Sequence, residues 1–175
     1  MIDIKQFLGR ISSQYRLNPH DVHGLSHWAR VLDNGLRLAD LEGGDLTVIR
    51  LFAIFHDACR KNQSFDPGHG ARAAVLAGIF LQNHPEVSKD QLNLLQKACR
   101  SHTDGKTKAN LTVQICWDSD RLDLARVNIM PVRKFLCTDA AKSDAILSWA
   151  NQRALAEFTP EYVYRDWDPL FPIDI

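Results

Sequence analysis

Leu51-Phe-Ala-Ile-Phe-His56-Asp57-Ala-Cys-Arg60 decides how the rest of this chain is read. An apolar run meets an imidazole and a carboxylate side by side, with a guanidinium three residues on. A helix that is apolar nearly all round belongs in a core, so this one carries His56 and Asp57 towards the interior. Both groups lose water there, and burial without a compensating partner costs several kcal/mol. A metal ion is the natural compensator, because neutral imidazole and ionised carboxylate are first-row metal ligands. The doublet needs context, since chance supplies on the order of one His-Asp pair in a chain of this composition.

Outward from that stretch the apolar spacing stays helical. Ile4, Phe7, Leu8, Ile11 and Tyr15 mark a first amphipathic helix, broken at Asn18-Pro19. Trp28, Val31, Leu32, Gly35 and Ala39 line a second, from about 20 to 41, which Gly43-Gly44 stops. Asp45 caps the third helix, 46 to about 59. Asp66-Pro67 reads as the cap and first turn of a fourth, reaching about 82. Ser88-Lys-Asp-Gln91 matches a capping box for the fifth, which Thr103-Asp104-Gly105 closes. A sixth spans about 112 to 127, Pro131 marks a break, and a final helix occupies about 138 to 158. No stretch alternates with period 2. The expectation is an all-α chain, one helical-bundle domain over residues 1–175 with its motifs at about 20–127. The C-terminal part, 138–175, is expected to pack on that core, with Tyr162, Tyr164, Trp167 and Phe171 of the tail folding back over the helices.

The bulk numbers narrow the function classes. A chain of 175 residues with 45% hydrophobic content can bury a core without staples. Lys+Arg and Asp+Glu are both 21, so the net charge is zero. That excludes a polyanion-binding surface and leaves room only for a local basic pocket, so neither nucleic acid nor an anionic membrane is an expected partner. Cys59, Cys99, Cys116 and Cys137 form no C-x-x-C pair and read as reduced thiols. The Met-Ile-Asp-Ile-Lys-Gln start carries charge where a signal peptide needs an apolar core. The longest apolar run, residues 73–81, is too short to span a bilayer. A cytoplasmic protein is expected.

Polar groups fall on the inward faces. His23 and His27 are four apart, which places them on one face of the second helix. His102 continues the stripe of Leu92, Leu95 and Cys99, and Asp120 lies three after Trp117 and four before Leu124. Any one of them reads as a satisfied core histidine or a capping acid. Together, several buried ionisable groups in a small core would each need a partner, and a shared metal centre resolves them at once.

In order and spacing these residues resemble the HD-domain metal-dependent phosphohydrolases, whose signature is H…HD…D on an all-α bundle. The likeness covers about residues 20–127. His27-Trp-Ala-Arg-Val is similar to the first-histidine motif, His56-Asp57 to the doublet, and Asp118-Ser-Asp120-Arg-Leu-Asp123 to the closing "A-D-R-L" segment, with Ser119 where Ala is usual. Asp118 competes with Asp120, and the register of Arg121-Leu122 favours Asp120. The resemblance implies His27, His56, Asp57 and Asp120 as metal ligands. His69 and His102 sit where two-metal members add ligands or touch phosphate, although Ser101 replaces one histidine of the "H-H-x-x-D-G" neighbourhood. His23 stands where the cyclic-dinucleotide members carry a Glu ligand; the Gly-Tyr-Pro loop of those members is lacking, and support behind the ligands is the other reading of His23. Arg60 takes the place of a Lys that meets phosphate. Arg30, Arg121 and Asp123 are candidates for orienting the ligands. His20 and His84 read as surface residues.

The implied activity is hydrolysis of a small phosphoester, a nucleotide above all, by water activated on one or two divalent ions. Imidazole-rich ligation suits Mn, Fe, Co, Ni or Zn. Two rivals fit the same residues: a diiron oxygenase with ligand order H, HD, H, H, D, and a nucleotide-binding module without catalysis. The 130–140 loop is either a specificity element or a plain helix connection.

Overall fold

A computed structural model describes residues 2–171, and every regular element among them is helical. Leu46–Phe55 (α3) is the central helix. Asp45 starts it by accepting from the backbone N–H groups of Thr47 and Val48, and Leu51, Phe52, Ala53, Ile54 and Phe55 are fully buried. Burying each Leu, Ile or Phe side chain contributes about 1.5–3 kcal/mol. The sum outweighs the cost of drawing His56 and Asp57 inside.

Leu25–Glu42 (α2), Lys89–Ser101 (α5) and Leu111–Arg121 (α6) flank α3, and His69–Leu81 (α4) lies along α5. The amide of Asn34 on α2 donates to the Ser119 carbonyl on α6 at 2.9 Å, and the indole N–H of Trp117 donates to the Ala98 carbonyl on α5 at 3.1 Å. These bonds fix the rotation of α6 and hence the direction of Asp120. The capping box at Ser88 and Gln91 is formed as the sequence predicts. Lys5–Ser12 (α1) packs Phe7, Leu8 and Ile11 into the core.

Several expectations change. Helix α3 ends at Phe55 rather than near 59, and residues 56–59 form a turn. Helix α2 begins at Leu25 rather than near 20, because the chain turns tightly from Pro19 to Gly24 and the Leu25 N–H donates to the Pro19 carbonyl at 2.8 Å. A Cβ on Gly24 would lie 2.0 Å from that carbonyl oxygen, so only glycine allows the turn. His23 therefore sits on the turn before the helix, not on a helical face with His27. Asp66 does not cap α4. Gly68 occupies that position, while the Asp66 carboxylate accepts from the Lys61 backbone at 2.9 Å and pairs with Arg72.

The sixth helix ends at Arg121, passing into a 3-10 turn over Leu124–Val127. The final helix is two: Asp139–Lys142 (α7) capped by Thr138, and Asp144–Leu155 (α8) capped by Ser143, whose extended backbone divides them. The tail packs Val163, Trp167 and Phe171 against the helices, the Phe171 ring meeting Tyr15 and Trp28 edge-on, whereas Tyr164 stays exposed. Pro172 and the rest of 172–175 lie outside the described residues. No helix described is long and apolar enough to cross a membrane.

Candidate metal centre

Helix α3 ends at His56, and the turn after it swings Asp57 into the gap between α2, α5 and α6. Around Asp57 the fold gathers imidazoles from four directions. His27 comes from α2, His69 from the first turn of α4, His102 from the end of α5, and His23 from the 19–24 turn. His27, His56, His69, His102 and Asp57 are all at most 4% exposed.

Two imidazole pairs result. His27 Nε2 faces His56 Nε2 at 3.0 Å, with Asp120 Oδ1 at 3.5 and 3.8 Å from them. His69 Nε2 faces His102 Nε2 at 2.8 Å. Asp57 lies between the pairs: Oδ2 is 3.7 Å from His27 and 3.9 Å from His56, and Oδ1 is 3.1 Å from His69 and 3.8 Å from His102. Such spacings are those of donor atoms around a shared cation: two ligands on one first-row ion, each at about 2.0–2.2 Å, sit roughly 3 Å apart.

The other ring nitrogens say where the protons are. His56 Nδ1 lies 3.1 Å from the Phe52 and Ala53 carbonyls, which can only accept, so Nδ1 carries the hydrogen and Nε2 is a bare lone pair. His27 Nδ1 donates to Asp123 Oδ2 at 2.7 Å. Asp123 is kept as an acceptor by Arg30, whose Nε and Nη2 donate to its two oxygens at 2.7 and 3.1 Å. The His27 Nε2 is then bare as well. Two lone pairs 3.0 Å apart repel unless a cation or proton lies between them. Burial, with Arg126 and His56 adding to it, holds His27 well below its ordinary pKa, and burial takes His56 down to about 4. A proton is therefore disfavoured at this pair, and the donor set fits a divalent ion.

The second pair differs. His69 Nδ1 donates to the Asp66 carbonyl and His102 Nδ1 to the Cys99 carbonyl. Burial works against a charge on His102, but hydrogen bonding to Asp57 and the charge of Asp120 outweigh it and raise its pKa. One proton or one cation would close this pair. Asp57 itself is pulled well below the carboxylate range: burial raises it, and the His56 charge with hydrogen bonds from His102, His23 and His69 overcomes that.

Asp118 is excluded from the cluster. Its oxygens accept from the Cys137 and Thr138 backbone N–H groups, both at 2.8 Å, and from the Thr138 hydroxyl at 2.9 Å. His23 Nδ1 reaches Asp57 Oδ2 at 3.0 Å and also meets Arg126 Nη2 at 3.2 Å. Arg60 packs against the cluster, its Nη1 3.6 Å from Asp57 Oδ1 and 3.4 Å from His69. Arg30 and Asp123 stand directly behind His27, as an orienting pair should.

Arg121 does not orient Asp120. It turns away, donating from Nη1 to the Phe135 carbonyl at 2.6 Å and bracing the 133–137 segment. The sequence reading passed over Arg126, which donates to the Val22 and Asp123 carbonyls and reaches His23. Its place three residues after Asp123 was the available signal. His20 pairs with Asp168 at the surface, and His84 packs edge-on to Phe7.

Cavities adjoin the cluster at two ends. One of about 470 Å³ is bordered by His27, Arg30, Arg126, Ser26, Thr159 and Tyr164. Another of about 380 Å³ is bordered by Arg60, His69, Ser64, Phe65 and Thr103.

A crystal structure of a predicted HD superfamily hydrolase from an uncultured Thermotogales bacterium has a similar fold. The TM-score is 0.64 at 24% identity, over 91% of this chain and 89% of that one. At that identity the likeness shows the fold, an HD-type helical bundle. No protein-family profile matches the chain, and no curated protein does.

Proposed function

We propose that this chain is a metal-dependent phosphohydrolase that cleaves a small phosphoester, with nucleotides as the substrate class. One observation carries the reading: the two oxygens of Asp57 face two imidazole pairs, and in the first of them, His27 and His56, both facing nitrogens have their protons placed elsewhere. His27, His56, Asp57 and Asp120 would hold one divalent ion, and Asp57, His69 and His102 a second. The imidazole-rich donors suit Mn, Fe, Co, Ni or Zn. When bound, such an ion brings the pKa of a water ligand towards neutrality and polarises phosphoryl oxygens.

The remaining work falls to the chain's own groups. Arg30 holds Asp123, Asp123 holds the His27 proton, and His27 so presents Nε2 to the cluster. Arg126 and Arg60 are guanidiniums at the two ends of the site, placed to offset charge on a transferred phosphoryl group. Cavities of this size accommodate a small ligand rather than a polymer. Asp21 and Glu157 border the first cavity and Asp66 and Asp104 the second, so the preference for hydrolysis over the oxygenase rests on the two guanidiniums nearest the cluster. The structural neighbour, a predicted HD superfamily hydrolase, supports the same reading. A cytoplasmic enzyme without a nucleic-acid or membrane partner fits the balanced charge.

The test is turnover. Purified protein with Mn²⁺, screened against a phosphoester and nucleotide panel, should release phosphate or nucleoside, and His56→Ala should abolish it. Oxygen consumption by a coupled diiron pair without phosphate release would establish the oxygenase. Nucleotide binding without turnover under any of the five metals would establish the module.

A further inference from the structure

We infer that the cleft between the 105–110 turn and the 133–142 segment is a second anion site, which takes a small ligand carrying a chain of phosphates. The cavity, of about 400 Å³, is bordered by Lys108, Arg133, Lys134 and Lys142, with the Thr107 hydroxyl and the Gln114 amide between them. Among the described residues, no carboxylate borders it. None of these residues borders the cavities beside His27 and His69, so the site is distinct from the His/Asp cluster.

A chain of zero net charge has no general reason to gather cations here. Some are compensated: Arg133 pairs with Asp144, and Lys142 lies 3.8 Å from Asp139. Lys108 and Lys134 have no carboxylate within ion-pair distance among the described residues. Behind the Leu136–Cys137 wall stands Arg121, only 7% exposed, with its Nη2 buried and without a hydrogen-bond partner. Its Nη1 is held by the Phe135 carbonyl, and the buried Asp118 carboxylate is bonded to the same segment at Cys137 and Thr138, so Nη2 is an unfilled donor behind the cleft rather than a free charge in it.

The wall is rigid. Asp118 clamps the Cys137 and Thr138 backbone, Arg121 holds the Phe135 carbonyl, and the Gln114 amide ties the Ala109 carbonyl at 2.9 Å. These bonds fix the backbone that carries the cations, so that only the exposed Lys108 and Lys134 side chains have to be ordered on binding. Two unpaired charges, from Lys108 and Lys134, with Arg133 and Lys142 beside them, match a diphosphate or a longer phosphate chain. The concavity and the zero net charge of the whole chain argue against a polymer, which needs an extended basic stripe.

The test is calorimetric titration with inorganic tripolyphosphate and, separately, with a nucleoside triphosphate, in EDTA so that no divalent ion bridges ligand to the His/Asp cluster. Wild type and His56→Ala should both bind tripolyphosphate. Lys108→Gln/Lys134→Gln should weaken it about tenfold or more, while the exposed α5 pair Lys89→Gln/Lys97→Gln should not. Equal affinity for both ligands would mean that the phosphate chain alone is read; tighter binding of the nucleoside triphosphate would add a nucleoside contact. Unchanged affinity in the cleft variant, or no binding at millimolar tripolyphosphate, would overturn the site. So would tighter binding of a short nucleic-acid duplex that the same variant abolishes. Thermal melts of each variant show that the fold is kept.

Discussion

His27 Nε2 and His56 Nε2 stand 3.0 Å apart in the buried centre of the molecule, and neither has a hydrogen to give the other. Each ring spends its proton on the far side, His27 on Asp123 and His56 on the carbonyls of its own helix. This arrangement gives the protein a definite response to acid.

The pKa of His56 falls from an ordinary 6.5 to about 4 on folding, through burial, and His27 falls in the same direction. The unfolded chain therefore takes up these protons first. Stability of the metal-free protein should fall as pH drops through 6.5 and level off near 4, with about 3 kcal/mol from His56. His102 is raised and opposes the trend. Asp57 and Asp120 are lowered, so their contribution is lost only below the carboxylate range. Urea denaturation of EDTA-treated protein at several pH values measures the slope, and His56→Ala should flatten it.

Asp123 joins Arg30 to His27, so removing it should act twice. Asp123→Ala leaves Arg30, 4% exposed, without its counter-charge. Breaking a buried pair in this way costs about 3–5 kcal/mol. His27 also loses its orienting partner, which should weaken metal binding about 10- to 100-fold. Asp123→Asn should recover much of the stability and less of the affinity. Denaturation and metal titration on both variants separate the effects.

Asp118 and Asp120 are two residues apart and should behave oppositely. Asp118→Ala strips the acceptors from Cys137 and Thr138, at about 1–3 kcal/mol for each buried donor left unpaired. Metal affinity should change little. Asp120→Ala should leave stability nearly unchanged and lower metal affinity sharply, because its carboxylate faces His27 and His56.

Gly70 tests the packing that sets the second imidazole pair. A Cβ there would lie 2.3 Å from the Cys99 carbonyl oxygen and 3.2 Å from the His102 ring. In an open helix Ala is about 1 kcal/mol better than Gly. Here Gly70→Ala should destabilise instead, by pushing α4 from α5 and parting His69 from His102. Thermal melts and the number of ions bound check both consequences.

Much of the fold was legible because local signals and burial agreed. The Asp45 cap, the Ser88 capping box and the unbroken apolar α3 each depend on neighbours in sequence. The closeness of His27, His56, Asp57 and Asp120 was legible from their likeness to the H…HD…D signature together with their inward faces. What was not legible depends on contacts distant in sequence. His23 left its expected face because Gly24 lets Pro19 close over the helix start. Asp66 gave up its capping role for Arg72, and Arg121 turned towards a segment fourteen residues on. The break at Ser143 is a cap inside an apparently continuous helical pattern.

The most direct measurement is elemental analysis of protein purified without a metal-affinity step, beside His56→Ala and Asp57→Ala. The account predicts one or two transition-metal ions per wild-type chain, retained through gel filtration and lost from both variants. A wild-type chain that carries no such ion, and takes up none of Mn, Fe, Co, Ni or Zn when offered them, would contradict it.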